Sequence, residues 1–289
     1  MNEVAVLPGG AVMVIERSKN PEAFIGFERA GWDANIAGYD QAFGSVSRQT
    51  VGPLLNAANV SAGMRVLDVC TGPGMLVEAA IERGAQAVGL DFSVQAVELA
   101  QRQVPAGEFR QGDAQSLPFA DNSFDAIVCA YGVIHVPVPE MALREMFRVV
   151  RTGGRVAVSV WDSTTPNNGF GMIYAAVRAR GSFDVPVPHG PDYFQFSTDE
   201  NMRAALTEIG LSKVETEFVD QRWHVQSAAQ ILEAMRTGTV RARALLAGQS
   251  EAATAGIRQF LDDALETMRN PAGGSDVPLP ALIGSGEKK

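Results

Sequence analysis

The chain has 289 residues, 46% of them hydrophobic and 20% charged, enough for one large domain or one domain with a smaller appendage. Its formal net charge of −9, with no cluster of Lys and Arg, argues against nucleic acid as a substrate, because phosphate binding calls for a basic stripe. Cys70 and Cys129 in apolar runs form no disulfide framework; with Pro8-Gly9-Gly10 interrupting the N-terminal stretch and no run of about 18 apolar residues, a cytoplasmic protein without a membrane span is expected.

In chain order, residues 24–39 read as an amphipathic helix. From residue 64, strand and helix alternate. Residues 65–69 are a short apolar strand ending in a turn, 75–83 a helix stopped by Gly84, and 85–91 a second strand. Ser93 caps a helix to about Gln103, 108–113 is a third strand, and 124–131 is a fourth, apolar on both faces as a central parallel strand must be. Residues 139–150 are a helix ended by Gly153-Gly154, and 155–161 a fifth strand. This alternation implies right-handed crossovers and a mostly parallel sheet.

After Trp161 the texture changes. A loop precedes a helix at 171–180, then comes the proline-rich "FDVPVPHGPDYFQF". Thr198 caps a helix to Gly210, 211–225 reads as a strand, and two helices follow at 227–247 and 250–269. The closing "GGSDVPLPALIGSGEKK" supplies a last strand; the rival is that "QRWHV" is that strand and the rest a helical tail.

The chemistry concentrates in "LDVCTGPGMLVEAA", residues 67–80. In an open parallel sheet, ligands bind beyond the carboxyl ends of the strands, where the first glycine turn lies. Gly72 and Gly74 let a ligand approach the backbone, and the following helix start favours a negative group. Asp91 ends the second strand, nineteen residues after Gly72, where a carboxylate accepts two ribose hydroxyls. Asp113 ends the third. A dinucleotide fingerprint needs a small residue where this loop has Val77.

"VLDVCTGPG" (66–74), "GLDFS" (89–93), "GDAQSLPFADNSFDAIVCAYGVIHV" (112–136) and "MALREMFRVVRTGGRVAVSVW" (141–161) resemble the class I S-adenosylmethionine-dependent methyltransferases, in the branch of the ubiquinone/menaquinone-type and many small-molecule enzymes. The resemblance covers about residues 35–165, and "VPLPALIGSGEKK" is similar to the last strand of such domains. It implies an α/β, Rossmann-like seven-stranded sheet, mostly parallel with one antiparallel strand, helices on both faces and an α-helical cap or insertion. The implied organisation is an N-terminal lid (1–50), a cofactor core (51–163), a substrate cap (164–197) and the rest of the sheet (198–289) with a helical insertion at 227–269. One departure is Cys70, where the family has a third glycine.

Carried over residue by residue, Asp68, Gly72 and Gly74, with Thr71 beside them, hold the methionine part of S-adenosylmethionine. Asp91 binds the ribose and Phe92 packs on the adenine. Asp113 accepts from the adenine amine and the Ala114 N–H caps the ring; Ala130 and Tyr131 border the sulfonium, and Tyr39 reaches the cofactor carboxylate. His135 is the best-placed of three histidines to act as a base, or else to shape the pocket. His189 and His224 are weaker candidates, and their scatter argues against a zinc site. Trp161, Phe170 and Tyr193, with Trp32, Tyr174, Phe194 and Phe196, suggest an apolar or aromatic small-molecule acceptor. Two other readings stay open: a nicotinamide-dependent oxidoreductase, against which Val77 and Asp113 argue, and a module that binds the cofactor without transferring from it.

Overall fold

The computed structural model describes residues 3–7, 11–15, 21–271 and 273–289; Pro8-Gly9-Gly10 lies outside them. Strands β1 (Glu3–Leu7) and β2 (Ala11–Ile15) pair antiparallel, and helix α1 (Pro21–Ala57) follows. The amphipathic stretch at 24–39 is therefore only the first half of a longer helix. Then come β3 (Arg65–Val69), α2 (Met75–Glu82), β4 (Gln86–Asp91), α3 (Val94–Gln103), β5 (Glu108–Gln111), β6 (Phe124–Ala130), α4 (Pro139–Val149) and β7 (Val150–Trp161). The second half holds α5 (Gly169–Arg180), α6 (Asp199–Glu208), β8 (Leu211–Val219), β9 (Arg222–Val225), α7 (Ala228–Gly238), α8 (Arg241–Ala247), α9 (Glu251–Glu266), β10 (Ser275–Pro278) and β11 (Ala281–Lys288).

The main sheet has seven strands in the order β5-β4-β3-β6-β7-β11-β8. β11 runs antiparallel to β7 and to β8, and the other pairs are parallel. The chain leaves β3 toward β4 and β5, then crosses to β6 on the other side, which puts the switch in strand order beside β3. Side chains alternate between two cores, as a strand period of about 2 requires. Leu67, Val69, Ile127 and Cys129 face one, while Val66, Ala126, Val128, Ala157 and Ile283 face the other. At the end of β11, the Lys288 ammonium donates to the carbonyls of Phe147, Arg148 and Val150 at 2.8, 3.1 and 2.8 Å. It thereby satisfies carbonyls that α4 leaves free at its end, where a cation is also favoured by the helix dipole.

Four sequence expectations are corrected. Residues 211–225 are not one strand: β8 joins the main sheet, and β9 turns away to pair with β10 in a two-stranded ribbon, Val225 opposite Ser275. The break comes at Gln221, which is fully buried because its amide donates to the Val46 carbonyl and to Thr50 in α1. His224 therefore sits in the ribbon against Asp276 (2.9 Å), not on a strand of the main sheet, and "QRWHV" is not the last sheet strand. The span 227–247 is two helices, divided at Thr239 and Val240. Finally, Gly153-Gly154 does not end α4: the backbone turns extended at Val150, and the glycines lie within β7, where the register against β6 breaks between Val150 (opposite Phe124) and Arg155 (opposite Ala126) and Gly153 takes φ +76°.

α1 packs on α2, α3 and α7 and reaches β6, β7, β9 and β11. Two bonds tie it to the later helices: Asn35 donates to the Thr239 carbonyl at 3.0 Å and accepts from Arg243.

Candidate functional site

A cavity opens at the switch beside β3, with an empty volume, counted to its mouth, of about 1180 Å³. It is lined by the turn after β3, the tips of β4 and β6, α1, the loop at 132–137, Trp161, Phe170, Tyr193 and the α7–α8 junction at Gly238-Thr239.

The turn is built by strain and carboxylates. Cys70 has φ +60° and Tyr131, at the tip of β6, has φ +57°, so two adjacent strands end in left-handed residues other than glycine. Such conformations cost about 1–2 kcal/mol each and gather at functional sites. They also explain why a glycine would suit position 70. Gly72 and Gly74 are left-handed too, at φ +52° and +89°, but they serve different ends. A Cβ on Gly72 would meet only Ile36, at 3.7 Å, and would otherwise project into the cavity. A Cβ on Gly74 would press on the Phe109 ring at 3.0 Å and on Ala100 at 3.3 Å. Gly74 is not among the residues that line the cavity; it starts α2 and makes room for packing.

Asp91 reaches back across the turn. Its Oδ2 accepts from the Gly72 N–H at 3.0 Å and its Oδ1 from the Ser93 N–H at 2.9 Å. Burial raises its pKa to about 6 despite these bonds, and Asp33 adds a like charge. Asp68 lies deeper. Its Oδ2 accepts from the Thr71 hydroxyl at 2.6 Å, and its Oδ1 is buried with no hydrogen-bond partner among the described residues. Burial raises Asp68 to about 8 against the pull of Thr71, and Asp91 pushes the same way. Asp113 closes a tight turn, accepting from the Gln115 N–H at 2.9 Å. Ala114 and Phe92 stand beside it on the cavity wall, and the Arg29 guanidinium lies 5.9 Å from the Phe92 ring centroid.

The wall opposite is aromatic. Trp32 meets Tyr39 and His135 edge-on at 5.6 and 4.9 Å, and His135 meets Tyr193 at 5.8 Å. Phe170 touches Tyr193 and Trp161 at 5.6 and 5.4 Å. Tyr131 stacks on Trp161 at 3.9 Å, and its hydroxyl bonds Thr50 and Gln221. Ala130 lines the cavity beside it. Tyr39 also lines it, with its hydroxyl bound to Ser47 at 2.8 Å and its pKa pushed up to about 12 by burial. Tyr174, Phe194 and Phe196 stand behind this wall and do not line the cavity.

Residues that sequence reasoning passed over complete the site. Phe43, Gly238 and Thr239 line the cavity, and Asp33 accepts from the Ser93 hydroxyl at 2.6 Å. Glu28 is fully buried, bonded to His135 Nδ1 at 3.0 Å, to Arg241 Nε at 2.8 Å and to the Trp32 indole at 3.1 Å. A sequence signal existed: Glu28 falls between Phe24 and Ile36 in the buried stripe of α1, where an acid has no business without a partner.

A parallel sheet with acids at the tips of β3 and β4 around a left-handed turn defines a nucleoside-cofactor domain of the methyltransferase type. The Methyltransferase domain family model matches residues 67–158. The demethylmenaquinone methyltransferase of Renibacterium salmoninarum is 40% identical over 112 residues, which is 39% of this chain and 47% of that protein. That of Mycobacterium sp. strain KMS is 35% identical over 160 residues, 54% of this chain and 67% of that protein. Among solved structures, the YcgJ protein of Bacillus subtilis shares the fold at a TM-score of 0.54 and 24% identity, covering 83% of this chain and 98% of that one. A Haemonchus contortus phosphoethanolamine N-methyltransferase 2, solved with S-adenosyl-L-methionine, does so at 0.53 and 20%, covering 89% and 57%. The chain belongs to the class I S-adenosylmethionine-dependent methyltransferases, in the quinone-type branch. The match spans about half the length of the first of these curated relatives.

Proposed function

We propose that this chain transfers a methyl group from S-adenosylmethionine to a small, largely apolar or aromatic acceptor. The observation that carries the reading is the unpartnered, buried Asp68 Oδ1 in the same cavity as Asp91 and the aromatic wall. A buried carboxylate oxygen with nothing bound to it calls for a donor, and the cofactor's ammonium is one. Asp91 still has lone pairs for ribose hydroxyls, Asp113 and Ala114 stand where an adenine edge would meet them, and Phe92 would pack on its face. Gly72 would leave the backbone open to the methionine chain, with Thr71 beside it, and Tyr39, which lines the same cavity, would take the carboxylate end.

When bound, the cofactor supplies an activated methyl on a sulfonium. The chain has to orient two molecules and exclude water. We assign that work to the lid (1–50), the cap (164–197) and the insertion (227–269), from which α1, Phe170, Tyr193 and Gly238-Thr239 line the cavity beside residues of the core (51–163). Trp161, Phe170 and Tyr193 would hold the acceptor, and His135 would take its proton. The names of the relatives put a reduced quinone ring first among acceptors to try. A nicotinamide cofactor suits the site less well: Val77 is fully buried, and its Cγ1 lies 2.9 Å from where a Cβ on Gly107 would be, so no gap exists at the crowded fingerprint position.

Calorimetry with S-adenosylhomocysteine and with NADH tests the cofactor, and transfer of a labelled methyl group to a panel of quinols, phenols and amines tests the reaction. Binding of NADH without S-adenosylhomocysteine would overturn the reading. Cofactor binding without transfer to any member would leave a binding module.

A further inference from the structure

We propose that Glu28 is a positioning residue which, balanced by Arg241, holds His135 as the Nδ1–H tautomer and so leaves Nε2 as the proton acceptor in the cavity. This deepens the methyltransferase reading and rests on it for the reaction, but not for the tautomer. Glu28 is wholly buried, and its Oε1 takes a bond from Arg241 Nε at 2.8 Å. Its Oε2 faces both the Trp32 indole N–H, which only donates, and His135 Nδ1 at 3.0 Å. Burial alone would push the Glu28 pKa up, but His135 and Arg241 together hold it below the usual carboxylate range. A carboxylate is an acceptor only, so Nδ1 must carry the hydrogen, and in the neutral ring the lone pair falls on Nε2. The same logic orients a metal-binding histidine through its second nitrogen.

Arg241 makes the arrangement rigid. Its other two nitrogens donate to the carbonyls of Pro191 (2.9 Å) and Ile134 (2.8 Å), so one guanidinium joins α8, the proline-rich segment, α1 and the residue before His135. Its charge also cancels that of Glu28 while the imidazole is neutral. When the acceptor's O–H or acidic C–H bond breaks, the electron pair stays on the acceptor and the proton lands on Nε2. Glu28 then stabilises the imidazolium and Arg241 opposes it. Tyr193 meets the imidazole edge-on, with Tyr39 beyond Trp32 and Tyr174 near Arg241 and Glu28; all three are held above the usual phenol range chiefly by burial and so are neutral between about pH 5 and 9. Asp192, beyond Tyr174, is engaged by the Phe194 N–H at 2.9 Å.

The test is imidazole nitrogen NMR on the full chain. It has 3 histidines, and His135→Gln assigns the one in question. In the unaltered protein at pH 8, His135 should show Nδ1 protonated and Nε2 bare, the reverse of the major form of free histidine. Glu28→Gln should move its titration midpoint down by about one unit or more, and Arg241→Met should move it up, the scale for a charge within contact distance. General loosening would not move the two variants in opposite directions. An Nε2–H tautomer, or midpoints that move together or stay put, overturns the proposal. The tautomer needs no substitution, so it decides even if a variant fails to fold. Calorimetry with S-adenosylhomocysteine on the same sample separates the two ideas: no binding with the stated tautomer refutes the methyltransferase reading and leaves the Glu28 role intact.

Discussion

Asp68→Asn should make the ligand-free protein more stable while making it a worse binder. Burial moves the Asp68 carboxyl from 3.8 to about 8, so the folded state keeps a proton that the unfolded state has lost. Between those values the folded protein binds more protons, and its stability therefore falls as pH rises, the loss being complete above about pH 8. Four units at about 1.4 kcal/mol each give a ceiling of about 5–6 kcal/mol. Asparagine removes that penalty. Its carbonyl still accepts from Thr71, but its amide is left unpaired where Oδ1 now lies, a cost of about 1–3 kcal/mol. The net gain at pH 9 is about 2–5 kcal/mol, or roughly 3–8 °C in Tm for a chain of this size. Thermal melts from pH 4 to 9 would show the variant starting about 1–3 kcal/mol below the parent and rising above it as the parent loses stability. Asp91, raised to about 6, keeps both proteins sloping up to that pH, so the variant should flatten only above it. S-adenosylhomocysteine should bind the variant at least about tenfold more weakly, as for a lost bond to a charged group. With the unaltered protein at pH 7, its binding should expel close to one proton from Asp68, read from calorimetry in buffers of different ionisation enthalpy. A variant that melts below the parent at pH 9, or binding with no proton release, would refute the reasoning.

Asp91→Ala should weaken S-adenosylhomocysteine by about 1.5–3 kcal/mol in calorimetry, and an unchanged affinity would mean that its carboxylate serves only the turn. Gly74→Ala should lower Tm by the equivalent of about 1–2 kcal/mol without changing the affinity of the folded protein, whereas Gly72→Ala, with similar strain, should also lose affinity because its Cβ enters the cavity. Deletion from Gly273 onward removes β11 from between β7 and β8 and should abolish the cooperative melt seen by circular dichroism; a nearly unchanged Tm would show the strand to be dispensable.

The alternation from β3 to β7 was legible because each element is local: an apolar run, a cap, a glycine stop. The place of β11 was legible only through resemblance, since nothing in "ALIGSGEK" says that it runs antiparallel. The division of 211–225 was not legible, because what bends the chain at Gln221 is a set of partners more than 170 residues away in α1. The cofactor half of the site lies on strand tips, where position along the strand gives position in space. The other half does not. Glu28 and Arg241 are separated by 213 residues, and neither is marked by its neighbours except that an acid interrupts an apolar stripe. The roles of Gly72 and Gly74 look alike in the sequence and part only when the neighbours of each missing Cβ are known.

The β9–β10 ribbon brings Val225 and Ser275 opposite one another, so the excursion through α7, α8 and α9 departs and returns at adjacent points. A segment with that geometry is a cartridge. Its splice points lie on the ribbon and not on the main sheet, while its helices pack on α1 and α5 and its Gly238-Thr239 corner and its Arg241 reach the chemistry. Lineages that share the sheet and the turn after β3 could thus diversify their acceptors by recombining this one piece, and a grafting experiment with ribbon strands as the splice points would follow the same seam.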